Sequence, residues 1–248
     1  MPISSTANNT VRSVRRLRKR AWRERRGLVL LEGKRTVTAA LRAGVTLAEV
    51  LFTEGGGEAA LLEGAKRAGA RVHEVTPEIM AHLTSAVSAP SILAVGPLVE
   101  SSLDAAPSGD ALVLDGVRDP AAVGGLIATA AAVGMASVAV GTGCADPFTP
   151  KVLRAAGAAH YALRLIRRVE ASDAVAKLGG DGVRTVTLAT DGPAPWEMDL
   201  RGPIVLVVGG EIAGEAVCVP ATAAGAPPLT AVTAVVLYEW LKQGGNTR

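Results

Sequence analysis

The chain has 248 residues, 49% apolar and only 3% aromatic, which suits alternating strands and helices better than a helical bundle or a β-sandwich. No apolar run reaches the roughly 18 residues needed to cross a bilayer, no apolar leader is visible, and Cys144 and Cys218 suggest two buried free thiols, not a disulfide or a metal site. The formal charge of +3 hides an asymmetry, because residues 1–26 hold nine Lys or Arg against Glu24 alone and the remainder is net −5.

In the basic segment, NNTVRSVRRLRKRAWRERRG, Val14, Leu17 and Ala21 recur at helical spacing and predict one helix over 11–26, stopped by Gly27. Arg12, Arg16, Lys19, Arg23 and Arg26 fall on another face, with Arg15 among them. Cations so weakly compensated repel one another unless a polyanion neutralises them, and nucleic acid does so through its phosphates. A solvated surface helix is the plainer alternative. The segment has no aromatics for base stacking beyond Trp22.

Strand–helix alternation follows. LVLLEG (28–33), AEVLFT (48–53), RVHEV (71–75) and SILAVGPLV (91–99) read as strands, with helices at 34–43, 57–69 and 77–87. These make residues 1–99 a small parallel or mixed α/β domain, and the polar stretch ESSLDAAPSGD (100–110) reads as a linker. A second α/β series fills 111–248, with strands ALVLDGV (111–117), SVAVG (137–141), HYALRLI (160–166), TVTLAT (185–190), IVLVVGG (204–210) and AVCVP (216–220). Its helices fall near 121–133, 148–158, 170–178 and 230–243. Several of its strands are apolar throughout, as in a sheet covered on both faces.

Strands running into glycine-rich turns suggest a ligand at the carboxyl ends of the sheet. The chain has neither G-x-G-x-x-G opening a helix after a strand, nor G-x-x-x-x-G-K-[ST], nor G-x-S-x-G. The order of its turns is more informative: LDGVRDPAAVGGLIATAAAVG, DPFTPKVLRAAGAAH, VLVVGGEIAGE, then VP and LTAVTAVVLYEWL. This series resembles the SpoU/TrmH-type SPOUT RNA ribose 2′-O-methyltransferases. The stretches VRSVRRLRKRAWRERRGLVLLEGKRTVTAALRAG and LTSAVSAPSILAV resemble the substrate-binding domain that precedes their catalytic domain. The resemblance covers essentially the whole chain. It implies an N-terminal α/β substrate-binding domain and a C-terminal α/β trefoil-knot domain that binds S-adenosylmethionine. It further implies a homodimer joined through the C-terminal domain, acting on ribosomal or transfer RNA in the cytoplasm.

By the same resemblance, Gly209, Glu211, Gly214, Val219, Pro220 and Leu229 bear on the cofactor, and Arg154 holds an RNA phosphate or the target ribose. Glu211 is either a loop-stabilising carboxylate or a general base. Three departures stand out. The family pattern after DP, x-N-x-G-x-x-x-R-x-A, has Ala122 and Ala128 where Asn and Arg belong. The pattern G-x-E-G-x-G-L has Ile212 for a Gly and Glu215 for the Leu. The pattern S-L-N-V falls on Ala226, Pro227, Pro228 and Leu229, and the chain's asparagines are only Asn8, Asn9 and Asn246. A lost acid–base group costs about 10²–10⁴ in rate. An inactive RNA-binding homologue and a methyltransferase repurposed for a non-RNA substrate are therefore the competing readings. For His160 a structural place is expected, and for His73 and His82 surface positions. Asp115, Arg118 and Asp119 either bind RNA or pair with one another.

Overall fold

The computed structural model describes residues 1–221, 225 and 227–245. Ala226 and Asn246 lie outside the described residues. The chain forms two compact units, one of residues 1–99 with 148–161, the other of 100–147 with 162–248. The helix-and-turn segment 148–161, which sequence order puts in the C-terminal series, thus packs with the N-terminal unit.

The first unit opens with two helices, α1 (Asn9–Arg16) and α2 (Arg20–Arg26), where the sequence predicts one. Asn8 starts α1 by accepting from the backbone N–H groups of Thr10 and Val11. The break falls at residues 17–19, where Lys19 is extended (φ −90°, ψ 130°). A continuous helix would stack like charges four residues apart across the break, Arg15 on Lys19 and Arg16 on Arg20. Instead the chain turns, and the Arg23 guanidinium donates to the freed carbonyls of Leu17 (3.1 Å) and Arg18 (3.0 Å). Arg23 is only 2% exposed, so it leaves the basic stripe to which its spacing assigned it. The apolar seam shifts as well: Ala21 is exposed, while Trp22 packs against the core with Val11, Val14 and Leu17. Arg23→Ala is expected to lower stability by about 2–3 kcal/mol, the worth of charge-assisted bonds to otherwise orphaned carbonyls. Urea unfolding measures it, and a change within about 0.5 kcal/mol would refute the capping role.

Strands β1 (Leu28–Glu32), β2 (Glu49–Phe52), β3 (Arg71–Glu74) and β4 (Ile92–Pro97) form a mixed sheet ordered β1-β4-β2-β3, antiparallel except for β2–β3. Helices α3 (Lys34–Arg42), α4 (Ala59–Arg67) and α5 (Pro77–Leu83) connect them. Leu30, Leu51, Leu93 and Val95 meet Ile79, Met80 and Leu83 in this core.

Among the described residues the second unit has six strands, all paired in parallel: β5 (Ala111–Leu114), β6 (Ser137–Gly141), β7 (Arg164–Val169), β8 (Arg184–Leu188), β9 (Ile204–Val208) and β10 (Glu215–Val217). Their order is β10-β8-β9-β5-β6-β7. Strands β5, β6 and β9 are buried at every residue, as their Ala, Val, Leu and Ile content requires, with Ser137 and Gly141 at the two ends of β6 buried as well. Helices α6 (Pro120–Ala132), α8 (Ala171–Leu178) and α9 (Leu229–Lys242) belong to this unit, and α7 (Pro150–Ala156) to the first.

Two expectations are corrected. The stretch 160–166 is not one strand: a 3₁₀ turn (Ala159–Tyr161) precedes β7, and His160 is buried with its ring 5.6 Å from that of Phe148. The stretch 100–110 packs on its own unit, with Leu103 and Ala106 in the β5–β9 core cluster and Ser101 N–H bonded to Leu165 O. The two cysteines are free and half-buried; burial pushes the Cys144 thiol up.

Candidate functional site

The strand order of the second unit reverses at β5: the chain runs outward through β6 and β7, then crosses to β8 on the other side, and β9 fills the place between β8 and β5. Such a reversal opens a crevice at the carboxyl ends of β5 and β9, where open α/β sheets take their ligands. Asp115 follows β5 there, and Gly209 and Gly210 follow β9 with φ of +85° and +63°. A Cβ on Gly209 would stand 2.2 Å from the Asp115 carbonyl oxygen, and one on Gly210 would stand 1.8 Å from Asp115 Oδ2. The Gly209 backbone approaches that of Asp115, and Gly210 approaches its carboxylate, to distances that only glycine allows.

The turn continues through Glu211, which is exposed, to Ile212. Among the described residues the non-glycines with positive φ are Asp110, Ala158 and Arg168, so Ile212 replaces the family glycine without left-handed strain. Its side chain packs against the apolar cluster of the sheet, and its carbonyl accepts from Thr187 Oγ1 at 3.0 Å. A Cβ on Gly214 would meet that same Oγ1 at 2.5 Å. Val219 is half-buried and Pro220 exposed beyond β10. Pro228 stands at the N-cap of α9 and offers no side-chain cap; Leu229 opens the helix, half-buried.

At the start of α6, Asp119 accepts from the N–H groups of Ala121 (3.3 Å) and Ala122 (3.0 Å). It therefore caps the helix, while Arg118 is exposed. Ala122 and Ala128 are half-buried and present only methyl groups.

The first unit holds the other candidates. Arg154, on α7, pairs through Nη1 with Oε2 of Glu32 at the end of β1. The Glu32 side chain is fully buried and that of Arg154 is 29% exposed. Arg35 donates to the Arg154 carbonyl at 3.1 Å. Sequence reasoning passed over Glu32, although a lone acid ending the apolar run LVLLE was a signal.

Arg12, Arg15, Arg16, Arg18, Lys19 and His82 line an open concavity of about 850 Å³ at the α1–α2 break. Burial and the charges of Arg15 and Arg18 hold His82 below the ordinary imidazole value. Arg16 and Arg25 lie over the Trp22 ring at 4.9 and 5.7 Å from its centroid. Arg26 ends α2 in solvent, and His73 bonds Glu49 at 2.8 Å. Arg18 and His82 were not foreseen as members of this cluster; the helix break brings them in.

These features define an α/β protein with a glycine-lined ligand edge on one unit and an uncompensated cationic hollow on the other. Its relatives bear this out: residues 110–217 match the SpoU rRNA Methylase family and residues 8–94 match the MRM3-like substrate binding domain. Residues 110–217 belong to the SpoU methylase family. It is 29% identical over 213 residues to the 23S rRNA (guanosine(2553)-2′-O)-methyltransferase RlmP of Bacillus subtilis, covering 86% of this chain and 83% of that one. A crystal structure of an RNA 2′-O ribose methyltransferase superposes with a TM-score of 0.79 at 27% identity, over 98% of this chain and 99% of that one. The AdoMet-bound rRNA methyltransferase of Sinorhizobium meliloti shares the fold, with a TM-score of 0.80 at 23% identity and 98% coverage of both chains.

Proposed function

We propose that this protein transfers a methyl group from S-adenosylmethionine to a ribose 2′-hydroxyl of ribosomal RNA. The observation that carries the reading is the Gly209–Gly210 turn against Asp115 at the sheet's switch point, a cradle whose close approach any Cβ would prevent. The residues fit the cofactor: Gly209, Gly210 and Gly214 let the turn lie close against Asp115 and Thr187, Ile212 turns toward the core, and Val219, Pro220 and Leu229 supply apolar surface. When bound, the cofactor supplies an electrophilic methyl on a sulfonium. The chain's task is to align the ribose oxygen and accept its proton. Arg154 holds an RNA phosphate, and Glu211 is the carboxylate of the cofactor turn. In this reading residues 1–99 bind RNA and 111–248 form the knotted catalytic domain. The α9 face of Val235, Tyr238 (64% exposed) and Leu241 suits a homodimer contact, and the cytoplasm is the proposed setting.

The test is transfer of labelled methyl from S-adenosylmethionine to an unmodified 23S rRNA transcript, followed by nucleoside digestion. A 2′-O-methylnucleoside is expected. RNA binding with no transfer would instead favour the second reading, an inactive RNA-binding homologue, for which Ala122 and Ala128 speak.

The cationic hollow gives its own prediction. Changing Arg12, Arg16 or Lys19 to Ala should each reduce the slope of log K against log salt by about one. Because burial and the charges of Arg15 and Arg18 hold His82 below the ordinary imidazole value in the free protein and a nearby phosphate favours the imidazolium, binding takes up a proton. RNA affinity therefore rises as pH falls and His82 takes up its proton, and His82→Gln removes that rise. Filter binding at several pH values measures both, and an unchanged pH profile in His82→Gln would exclude His82 from the contact.

A further inference from the structure

The stretch Glu32-Gly33-Lys34-Arg35 has no part in the chemistry above, yet it makes two bonds to the helix that carries Arg154. Glu32 ends β1 with its side chain fully buried, an unusual place for a carboxylate, and spends Oε2 on the Arg154 guanidinium. Its Oε1 is buried with no hydrogen-bond partner among the described residues. Gly33 turns the chain with φ +88°. Arg35, two residues on, donates to the Arg154 carbonyl, and its guanidinium lies 3.7 Å from the Cβ position of Gly157, the left-handed C-cap of α7. Arg35 thus places a cation at the carboxyl end of α7, where the helix dipole favours one.

We infer that this turn is a clamp, in which Glu32 fixes the Arg154 side chain and Arg35 fixes its backbone, so that Glu32 is a positioning residue for the methyl transfer. The inference rests on the role proposed for Arg154. A fully buried acid with one orphaned oxygen is a poor device for stability, since a well-packed apolar residue does as well or better. It does restrict a long, rotamer-rich side chain to one orientation, leaving part of the guanidinium in solvent for a phosphate. Lys in place of Arg154 would lack the planar fork and keep only the charge.

The experiment uses the full chain and an unmodified 23S rRNA transcript, comparing Glu32→Gln, Arg35→Ala, Arg154→Ala and the Glu32→Gln/Arg154→Ala double variant. Glu32→Gln is expected to lower kcat by about 10²-fold, the effect of a roughly 1 Å misplacement, with KM for S-adenosylmethionine unchanged. The double variant should be no slower than Arg154→Ala alone. Side-chain ¹⁵N spectra of Arg154 should show slow guanidinium rotation in the unaltered protein and fast rotation in Glu32→Gln. Exposed Arg35→Ala, which leaves the core intact, should give a smaller loss of kcat and carries the test if Glu32→Gln does not fold. Native kcat in Glu32→Gln or, failing that variant, in Arg35→Ala would overturn the clamp while Arg154→Ala remains inactive. Losses that multiply in the double variant would do the same. Full activity of Arg154→Ala would instead overturn the role proposed for Arg154.

Discussion

Arg154→Ala is expected to bind S-adenosylmethionine normally and to transfer methyl at least about 10²-fold more slowly, the loss that follows when a bound substrate is misplaced by an ångström. It should also lose stability, for a separate reason. Removing the guanidinium strands Glu32 in the core with neither oxygen partnered. Breaking a buried pair in this way costs about 3–5 kcal/mol, and the partial exposure of Arg154 puts this case near the lower end. The two effects come apart in the Glu32→Gln/Arg154→Ala double variant, which removes the stranded charge. Thermal unfolding should show most of the stability restored, while the methylation assay stays at the Arg154→Ala level. If activity returned together with stability, Arg154 would be only a fold element and the proposed phosphate contact would be wrong.

Those consequences turn on Glu32, and the sequence carried only half of that pair. Arg154 stood out because it sits in a recognisable motif. Glu32 is 122 residues earlier, and nothing in periodicity links the end of one strand to the side of a distant helix. The fold itself was largely legible. Buried parallel strands read as unbroken Val, Leu and Ile runs, and Gly27, Gly44 and Gly134 stand where the preceding helices stop. The N-terminal helix was misread because its hydrophobic spacing continues through residue 21, whereas the break depends on Arg23 turning inward to cap carbonyls, an event without periodic signature. The capping role of Asp119 was missed for a related reason. A short acid before proline serves equally as a ligand or as a helix cap, and only coordinates show it accepting from Ala121 and Ala122. For Ile212 the sequence raised the right question, whether a side chain closes the ligand edge. The answer needed its backbone angle and its packing.

The other large effect is expected at the cofactor turn. Gly209→Ala should weaken S-adenosylmethionine binding by at least about 100-fold, roughly 2.7 kcal/mol. Two costs combine there. Alanine at φ +85° is strained by about 1–2 kcal/mol, and its Cβ would lie 2.2 Å from the carbonyl oxygen of Asp115. That oxygen belongs to the backbone just after β5, a strand buried between β9 and β6, so it cannot yield without moving the sheet edge that forms the cradle. Gly210→Ala makes a telling comparison. Its Cβ meets Asp115 Oδ2 at 1.8 Å, nominally worse, but a carboxylate can rotate away, and an added Asp115→Ala should rescue much of the loss. Gly27→Ala, at φ +62° with nothing within 4 Å of its Cβ, carries the strain without the contact. Calorimetric titration with S-adenosylmethionine should rank Gly209→Ala as the most damaging and Gly27→Ala as neutral for binding. Affinity in Gly209→Ala within about threefold of the unaltered protein would place the cofactor elsewhere, and the reading of the β5–β9 edge as its site would fall.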